Sequence, residues 1–396
     1  TRRSSDLSRR SFLATTGAST ASLAIGVSFG LGALDLAQAQ NQPVGAGGFK
    51  PNAWINIGAD GVVTLMSPAA EMGQGTMTAM PMLLAEELDV DWAQVKVVQA
   101  PADAKAFGNP RFGGGMTTGA SRTVQGYYDP IRLAGLQARL VLVDAAAKAM
   151  GVPASELRTE KSQVIHASGK RMSYAEVAKV AQVPAELPKV DKAMLKKMSQ
   201  FKIIGTDIAR VDVASKANGS AKYGIDQRMD GMLYASVARA PVHGEKLVSV
   251  DDAPALAMKG VKQVVKLPYG VAVVADSFET AKRARNALKP VWSTAAKSRQ
   301  HNTDKVRAEY TARAQNQADA GIDFIKHGDT KAAITGAAKT YSATYTTEMV
   351  SHICLEPMNC TAKLTSGAAG DQLEVWAPAQ SPAFIMGALT GAAGFK

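Results

Sequence analysis

Glu71-Met72-Gly73-Gln74-Gly75 separates a strand pattern, Val62-Val63-Thr64-Leu65-Met66, from a helix pattern running from Thr76 through Ala85-Glu86-Glu87-Leu88. Strand, bare turn and helix in that order read as part of an α+β region and make the turn its first functional candidate. Gly73 and Gly75 let the backbone approach a ligand without Cβ interference, and the Gln74 amide offers both a donor and an acceptor. The helix behind the turn aims the positive end of its dipole at it, an arrangement suited to an anionic cofactor. A tight turn or a helix cap uses the same residue types, so the pentapeptide alone is a phosphate-site candidate and no more.

A second glycine-rich stretch strengthens it. Arg111-Phe112-Gly113-Gly114-Gly115-Met116-Thr117-Thr118-Gly119-Ala120-Ser121-Arg122 combines flexible backbone, three hydroxyl side chains and two cations, a composition suited to pyrophosphate. A plain surface loop is the competing reading, and it does not require the arginines.

Around these stretches the chain divides by pattern. Trp54-Ile55-Asn56-Ile57 and Val62 to Met66, joined by Gly58-Ala59-Asp60-Gly61, read as a β-hairpin, and Val95-Lys96-Val97-Val98 as a further strand. A helix is expected from Pro130 to Met150, stopped by Gly151 and Pro153, and Ser173 with Glu176 forms a capping box for a short helix. This region, 50–185, is followed by a Pro- and Lys-containing linker, 186–204. A small α/β unit, 205–293, carries strands at Gly231 to Val237, Val261 to Val265 and Val271 to Val274, with helices at Ala253 to Met258 and Ser277 to Leu288. A polar connector, 294–339, precedes a last region, 340–396, with strands expected at Tyr341 to Thr346 and Leu373 to Trp376.

Ser8-Arg9-Arg10-Ser11-Phe12-Leu13 places paired arginines before an uncharged run, Ser11 to Leu34, and Ala37-Gln38-Ala39 supplies small residues for cleavage. The pattern resembles a twin-arginine export signal over residues 1–39 and predicts a periplasmic protein, soluble or membrane-associated; an uncleaved membrane anchor is the alternative. Removing this segment, with four Arg against Asp6 and Asp35, lowers the formal charge from +11 to +9. The remaining positive charge is spread along the chain without interleaved aromatics, which argues for anionic cofactors or a complementary partner and against nucleic acid. Cys354 and Cys360 are too few for an iron–sulfur cluster; packed thiols or one disulfide remain open. The five histidines are scattered without metal-ligand spacing.

Taken together, further residues carry a resemblance. Arg210-Val211-Asp212-Val213, Lys216, Gly219-Ser220-Ala221-Lys222-Tyr223, Asp226, Gly231-Met232-Leu233-Tyr234-Ala235 and Arg239-Ala240-Pro241 look like the opening of the a/b hammerhead domain of the xanthine oxidase family. Val271 to Asp276 with Glu279-Thr280-Ala281 and Ala284 is similar to its closing strand and helix. His352-Ile353-Cys354-Leu355-Glu356-Pro357-Met358 and Val375-Trp376-Ala377-Pro378-Ala379-Gln380-Ser381-Pro382 resemble the start of a molybdopterin-binding domain. The Glu71 to Gly75 loop resembles a cofactor loop that usually comes late in such chains. Its early place resembles the permuted large (β) subunit of isoquinoline 1-oxidoreductase and related exported aldehyde dehydrogenases.

The resemblance implies a molybdenum hydroxylase whose metal is held by a pyranopterin, with no side-chain ligands. It implies that Gly73, Gln74 and Gly75 contact the pterin or its phosphate. Thr118, Gly119, Ser121 and Arg122 would hold the pyrophosphate of molybdopterin cytosine dinucleotide. Glu356 would orient an aldehyde carbonyl or a ring nitrogen of an N-heterocycle; a surface carboxylate before a proline is the other reading of that residue. It further implies a small subunit with 2Fe–2S clusters and a cytochrome c subunit as electron acceptors. The family's general-base glutamate and its Gly-Gly-Gly-Phe-Gly motif have no counterpart in this sequence. The expectation is therefore an N-terminal fragment of a large subunit, inactive alone, and a noncatalytic scaffold derived from this fold is the alternative.

Overall fold

The computed structural model describes residues 23–26, 53–316, 318–319, 321–322, 324–351, 355–367 and 370–393. The paired arginines, the expected cleavage site and Cys354 lie outside the described residues. Two compact units are present: Thr1–Ile225 with Asn359–Lys396, and Asp226–Met358. Both mix helices with small sheets, in agreement with the α+β expectation.

In the first unit, β2 (Ala53–Ile57) and β3 (Val63–Ser67) form the expected antiparallel hairpin with Ile55 opposite Leu65. Alternation along β3 buries Val63, Leu65 and Ser67 and leaves Thr64 and Met66 half-buried. From β3 the chain passes through the Glu71 turn into α1 (Thr76–Leu88) and returns as β4 (Val95–Gln99), parallel to β3 with Val63 opposite Val95. Parallel neighbours require such a crossover, and the crossover puts the turn at the carboxyl end of β3. At the other side of the hairpin, β1 (Leu23–Gly26) pairs antiparallel with β2, Leu23 opposite Ile57. These four residues belong to the run read as an export leader.

The longest helix, α2 (Arg122–Met150), packs along α1. It starts at Arg122 and not at Pro130, because Pro130 is tolerated inside it. A proline is as common in a first turn as it is costly within a helix, and here it removes only one rung. A Cβ on Gly135 would meet the Leu84 carbonyl oxygen at 2.7 Å, so the two helices approach at a point only glycine permits. The stop at Gly151, φ 70°, is as the sequence indicates. Strands β5 (Leu157–Glu160), β6 (Gln163–His166) and β7 (Arg171–Ser173) form an antiparallel meander, followed by α3 (Tyr174–Val180) behind its Ser173–Glu176 capping box.

The stretch read as a linker is fastened down. Glu86 and Glu87, both buried on α1, accept from it: Glu86 from the N–H groups of Ile203 (2.7 Å), Lys202 and Ile204 (3.0 Å each), Glu87 from that of Lys196 (3.2 Å). Arg132 of α2 pairs with Glu87 at 2.6 Å and also donates to the Lys196 carbonyl. The first unit is completed by β13 (Thr361–Thr365), β14 (Gln372–Trp376) and α6 (Pro382–Ala393).

In the second unit, β8 (Tyr234–Arg239), β9 (Leu247–Asp251), β10 (Val261–Leu267) and β11 (Gly270–Ala275) precede α4 (Phe278–Ala287) and β12 (Lys289–Trp292). The sheet orders are β10-β11-β8 and β12-β9. Its core is small: Ala255, Val271, Val273, Ala284 and Leu288. Helix α5 (Thr303–Gln315) has no buried residue. The strand expected at Tyr341 to Thr346 does not form; Tyr341 and Tyr345 are 84% and 90% exposed. Alternation of aromatic and small residues suits a strand, but an edge without a neighbour cannot be one. Among the described residues no helix is long and apolar enough to cross a membrane.

Candidate functional site

The Glu71 turn is built by its own side chains. Gly73 (φ 104°) and Gly75 (φ 87°) occupy the left-handed region, which fits glycine because no Cβ is present to clash. Their N–H groups converge on the Glu71 carboxylate, Gly73 at 2.7 Å and Gly75 at 3.1 Å, and Met77 in the first turn of α1 adds a third at 2.9 Å. Arg210 binds the same carboxylate at 3.2 Å and the Gly73 carbonyl at 2.9 Å. Burial pushes the Glu71 carboxyl up, but the N–H groups of Met77, Gly75 and Gly73 outweigh it and hold it below the ordinary carboxylate range. Gln74 folds back across the turn, donating to the Ala70 carbonyl (2.8 Å) and accepting from the Met72 N–H (2.6 Å). Its exposed amide keeps one N–H and one lone pair for another partner.

Asn109 shapes the second loop. It is fully buried; its side chain accepts from the Arg111 N–H (2.9 Å) and donates to the Arg122 carbonyl (3.2 Å). Its carbonyl takes the Phe112 and Gly114 N–H groups, and its own N–H goes to Gly115. Ala120 (φ 48°) and Ser121 (φ 55°) stand consecutively in the left-handed region, each at a cost of about 1–3 kcal/mol, a strain that collects at functional sites. Ser121 begins α2 without a side-chain cap, so its hydroxyl is not spent on the helix. Arg122 donates to the Arg111 carbonyl (3.2 Å) and lies over the Phe112 ring.

The two loops meet at Thr118. Its buried hydroxyl accepts from the Ala70 N–H at 2.9 Å, next to the Glu71 turn. Its backbone is held from the other side: the Thr118 N–H donates to the Gln380 carbonyl (2.8 Å), and the Gln380 amide donates to the Thr118 carbonyl (2.9 Å). Ser381 bonds Thr117, hydroxyl to hydroxyl, at 2.9 Å. Gly73, Gln74, Gly75, Thr118, Gly119, Ser121 and Arg122 thus belong to one connected construction on the first unit. Asn109 and the supporting pair Glu71 and Arg210 are not singled out as a set by sequence pattern. An Asn-Pro dipeptide and an Arg-x-Asp pair are the available signals, and both are too common to mark a site.

Glu356 lies on the second unit, half-buried, two residues before that unit ends at Met358. Cys360 is free and exposed, so it is not a packed core thiol. Beside the second loop a cavity of about 430 Å³ is lined by Arg111, Gln125, Gly126, Asp129, Leu133 and Lys192. Another, about 590 Å³, lies on the second unit between residues 239–246 and Pro268–Tyr269. Its Glu245 carboxylate has no solvent exposure; Oε1 takes both bonds from Arg299, and Oε2 has no hydrogen-bond partner among the described residues. Among the described residues no cluster of three His, Cys, Asp or Glu could hold a metal ion.

Residues 2–225, which contain both loops, match the model of the molybdopterin cofactor-binding domain family. The chain belongs to that family. It is 34% identical over 98% of its length to the beta chain of isoquinoline 1-oxidoreductase from Brevundimonas diminuta, covering 53% of that protein. It is 31% identical over 91% of its length to a Gluconacetobacter polyoxogenes protein named membrane-bound aldehyde dehydrogenase (pyrroloquinoline-quinone), covering 47% of it. A nicotinate dehydrogenase subunit from Pseudomonas putida is 29% identical over 83% of the chain, which covers 27% of that protein. The chain thus spans about half the length of the first two relatives and less of the third. A solved quinoline 2-oxidoreductase from Pseudomonas Putida 86 aligns with 23% of the chain at 21% identity and a TM-score of 0.20.

The residues present fit the family's cofactor. Among the described residues, and apart from each glycine's own chain neighbours, no heavy atom lies within 4 Å of where a Cβ would stand on Gly73, Gly75, Gly113, Gly114 or Gly119, so a ligand can lie against bare backbone there. Exposed Gln74, Arg111, Ser121 and Arg122 supply amide, hydroxyl and guanidinium groups around that surface, the donor set a phosphorylated, hydrogen-bonding heterocycle calls for.

Proposed function

We propose that the chain is the cofactor-holding part of the large subunit of a molybdenum hydroxylase acting on aldehydes or N-heterocycles. The observation that carries this reading is the Thr118–Ala70 hydrogen bond, which joins the two glycine loops within the family-matched span. When bound, the molybdenum–pterin group supplies the two-electron chemistry that puts a water-derived oxygen into a C–H bond. The Gln74 amide addresses the pterin, and Gly119, Ser121 and Arg122 with the bare Gly113–Gly114 backbone take the charged end, as the cytosine dinucleotide form. Thr118 acts through the loop, since its side chain is buried, its hydroxyl accepts from Ala70, and its backbone N–H and carbonyl are both bonded to Gln380.

The names of the relatives support substrates of these two classes, and two of them are named as subunits, which supports partner chains. We assign those roles to a small 2Fe–2S subunit and a cytochrome c subunit, in a permuted architecture with an a/b hammerhead at 205–293. The Arg9-Arg10 motif supports export to the periplasm. Glu356 is assigned to substrate orientation: Glu356→Gln should lower turnover while metal content stays as in the wild type.

One relative's name carries pyrroloquinoline quinone, and a single measurement separates the readings. The full-length protein, purified with its co-expressed partners, is analysed by mass spectrometry for molybdenum, cytosine nucleotide and pyrroloquinoline quinone. Equimolar metal and cytosine nucleotide is the expected result. Quinone without metal favours the other cofactor, and neither group in a folded complex leaves a noncatalytic scaffold. Gln74→Ala and Arg122→Ala should each lower the metal content; full loading in both removes these residues from the site.

A further inference from the structure

A glycine turn at the head of a 13-residue helix leaves N–H groups that water or a ligand ordinarily satisfies. Here three of them, on Gly73, Gly75 and Met77, close on the Glu71 carboxylate, whose side chain is only 10% exposed. The first turn of α1 contains no acidic residue, so Glu71 is the anion that faces the helix's positive end. Arg210 ties this carboxylate outward. It bonds Glu71, the Gly73 carbonyl and, through Nε and Nη2, both oxygens of Asp212, which Lys216 holds in turn at 2.6 Å. The Val211 N–H adds a bond to the Thr78 hydroxyl at 3.1 Å, so residues 210–216 are fastened to the same junction.

We propose that Glu71 is a positioning residue: an internal anion that fills the amide nest at the start of α1 and, clamped by Arg210, sets the Gln74 loop in its ligand-ready shape before any cofactor arrives. The inference rests on the molybdopterin reading and deepens it. With the nest filled from within, the head of α1 is closed to an external anion, and the loop presents bare glycine backbone and the neutral Gln74 amide. The charged part of the cofactor is left to the second loop, where Arg111 and Arg122 stand and no acidic residue occurs between Asn109 and Gln125.

The test is hydrogen exchange of peptides covering residues 70–78 in the full-length protein, with and without sodium formate, alongside molybdenum content. Glu71→Ala should accelerate exchange there by about tenfold or more, the factor that losing charge-assisted hydrogen bonds implies, while peptides of α2 stay unchanged. Formate should slow it again in the variant by refilling the nest, and should do nothing to the wild type. Molybdenum content should fall with Glu71→Ala and recover in part with formate during maturation. Glu71→Gln, which keeps the side-chain volume, should show the same loss of protection in smaller degree. Unchanged exchange in both variants overturns the proposal, as does full metal loading of Glu71→Ala. A wild type devoid of molybdenum, with accelerated and formate-rescued exchange in the variant, upholds the internal anion and sinks the cofactor reading instead.

Discussion

Asn109 shows how much of the site rests on one fully buried side chain. Its amide and backbone determine the course of residues 111–115 and tie them to the start of α2. A Cβ on Gly126 would come within 1.9 Å of its side-chain oxygen, so the glycine is there to admit the asparagine. Asn109→Ala removes both side-chain bonds from a fully buried position and should cost about 1–3 kcal/mol, read by denaturant unfolding. Metal content should fall further than that loss alone predicts, because the loop is no longer shaped. A variant equally destabilised but fully loaded would separate Asn109 from the site. At this scale the sequence is legible where chemistry is written in composition: glycines, hydroxyls and arginines point to both loops. It places Glu71 in the first loop but gives it no role, since the convergence of three N–H groups on its carboxylate depends on the fold of the turn.

At the scale of elements, α1 works as a two-sided beam, with its head in the Glu71 turn and its tail carrying Glu86 and Glu87 under the strap of residues 192–204. Arg132, flanked by the rings of Tyr128 and Phe201, is the sole guanidinium on Glu87 among the bonds described. Arg132→Ala leaves that buried carboxylate without its counter-charge and should destabilise the first unit by about 3–5 kcal/mol, measurable by chemical denaturation. Glu86 makes the strap pH-sensitive. Burial pushes its carboxyl up, but the Ile203 and Ile204 N–H groups, Lys196 and the Lys202 N–H outweigh that and hold it below the usual range. Its contribution is therefore fully present above the unfolded value of about 4.3 and is lost as pH falls through the lower folded value. The stability gap between wild type and Glu86→Gln should be constant from neutrality to about pH 5 and narrow below about pH 4, followed by thermal unfolding. A gap that does not change with pH would remove Glu86 from the acid response. Helices and hairpins are readable from period, caps and turns. The strap is not, because lysines and prolines signal a solvated linker whereas its fastening uses backbone N–H groups that carry no sequence signature.

For the whole molecule, the family is legible in the motifs of residues 210–241, 271–284 and 352–382 together with the Glu71 loop, and the α+β class and the strand at Leu373 to Trp376 in the strand and helix patterns; the course of residues 341–346 is not legible, since a strand pattern needs a neighbouring strand to pair with. The β1 pairing and the export reading make opposite demands on residues 23–26. Replacing Arg9 and Arg10 by Lys should hold the precursor in the cytoplasm, seen by fractionation, and undiminished export would defeat the twin-arginine reading. The paired loops are proposed as the cofactor cradle. That role is tested most directly by comparing hydrogen exchange of the full-length protein loaded with cofactor and of the same protein produced under molybdenum starvation. Loaded protein should show added protection at residues 70–78 and 109–125, the span of both loops. Protection confined to other segments, with these two unchanged, would contradict that role.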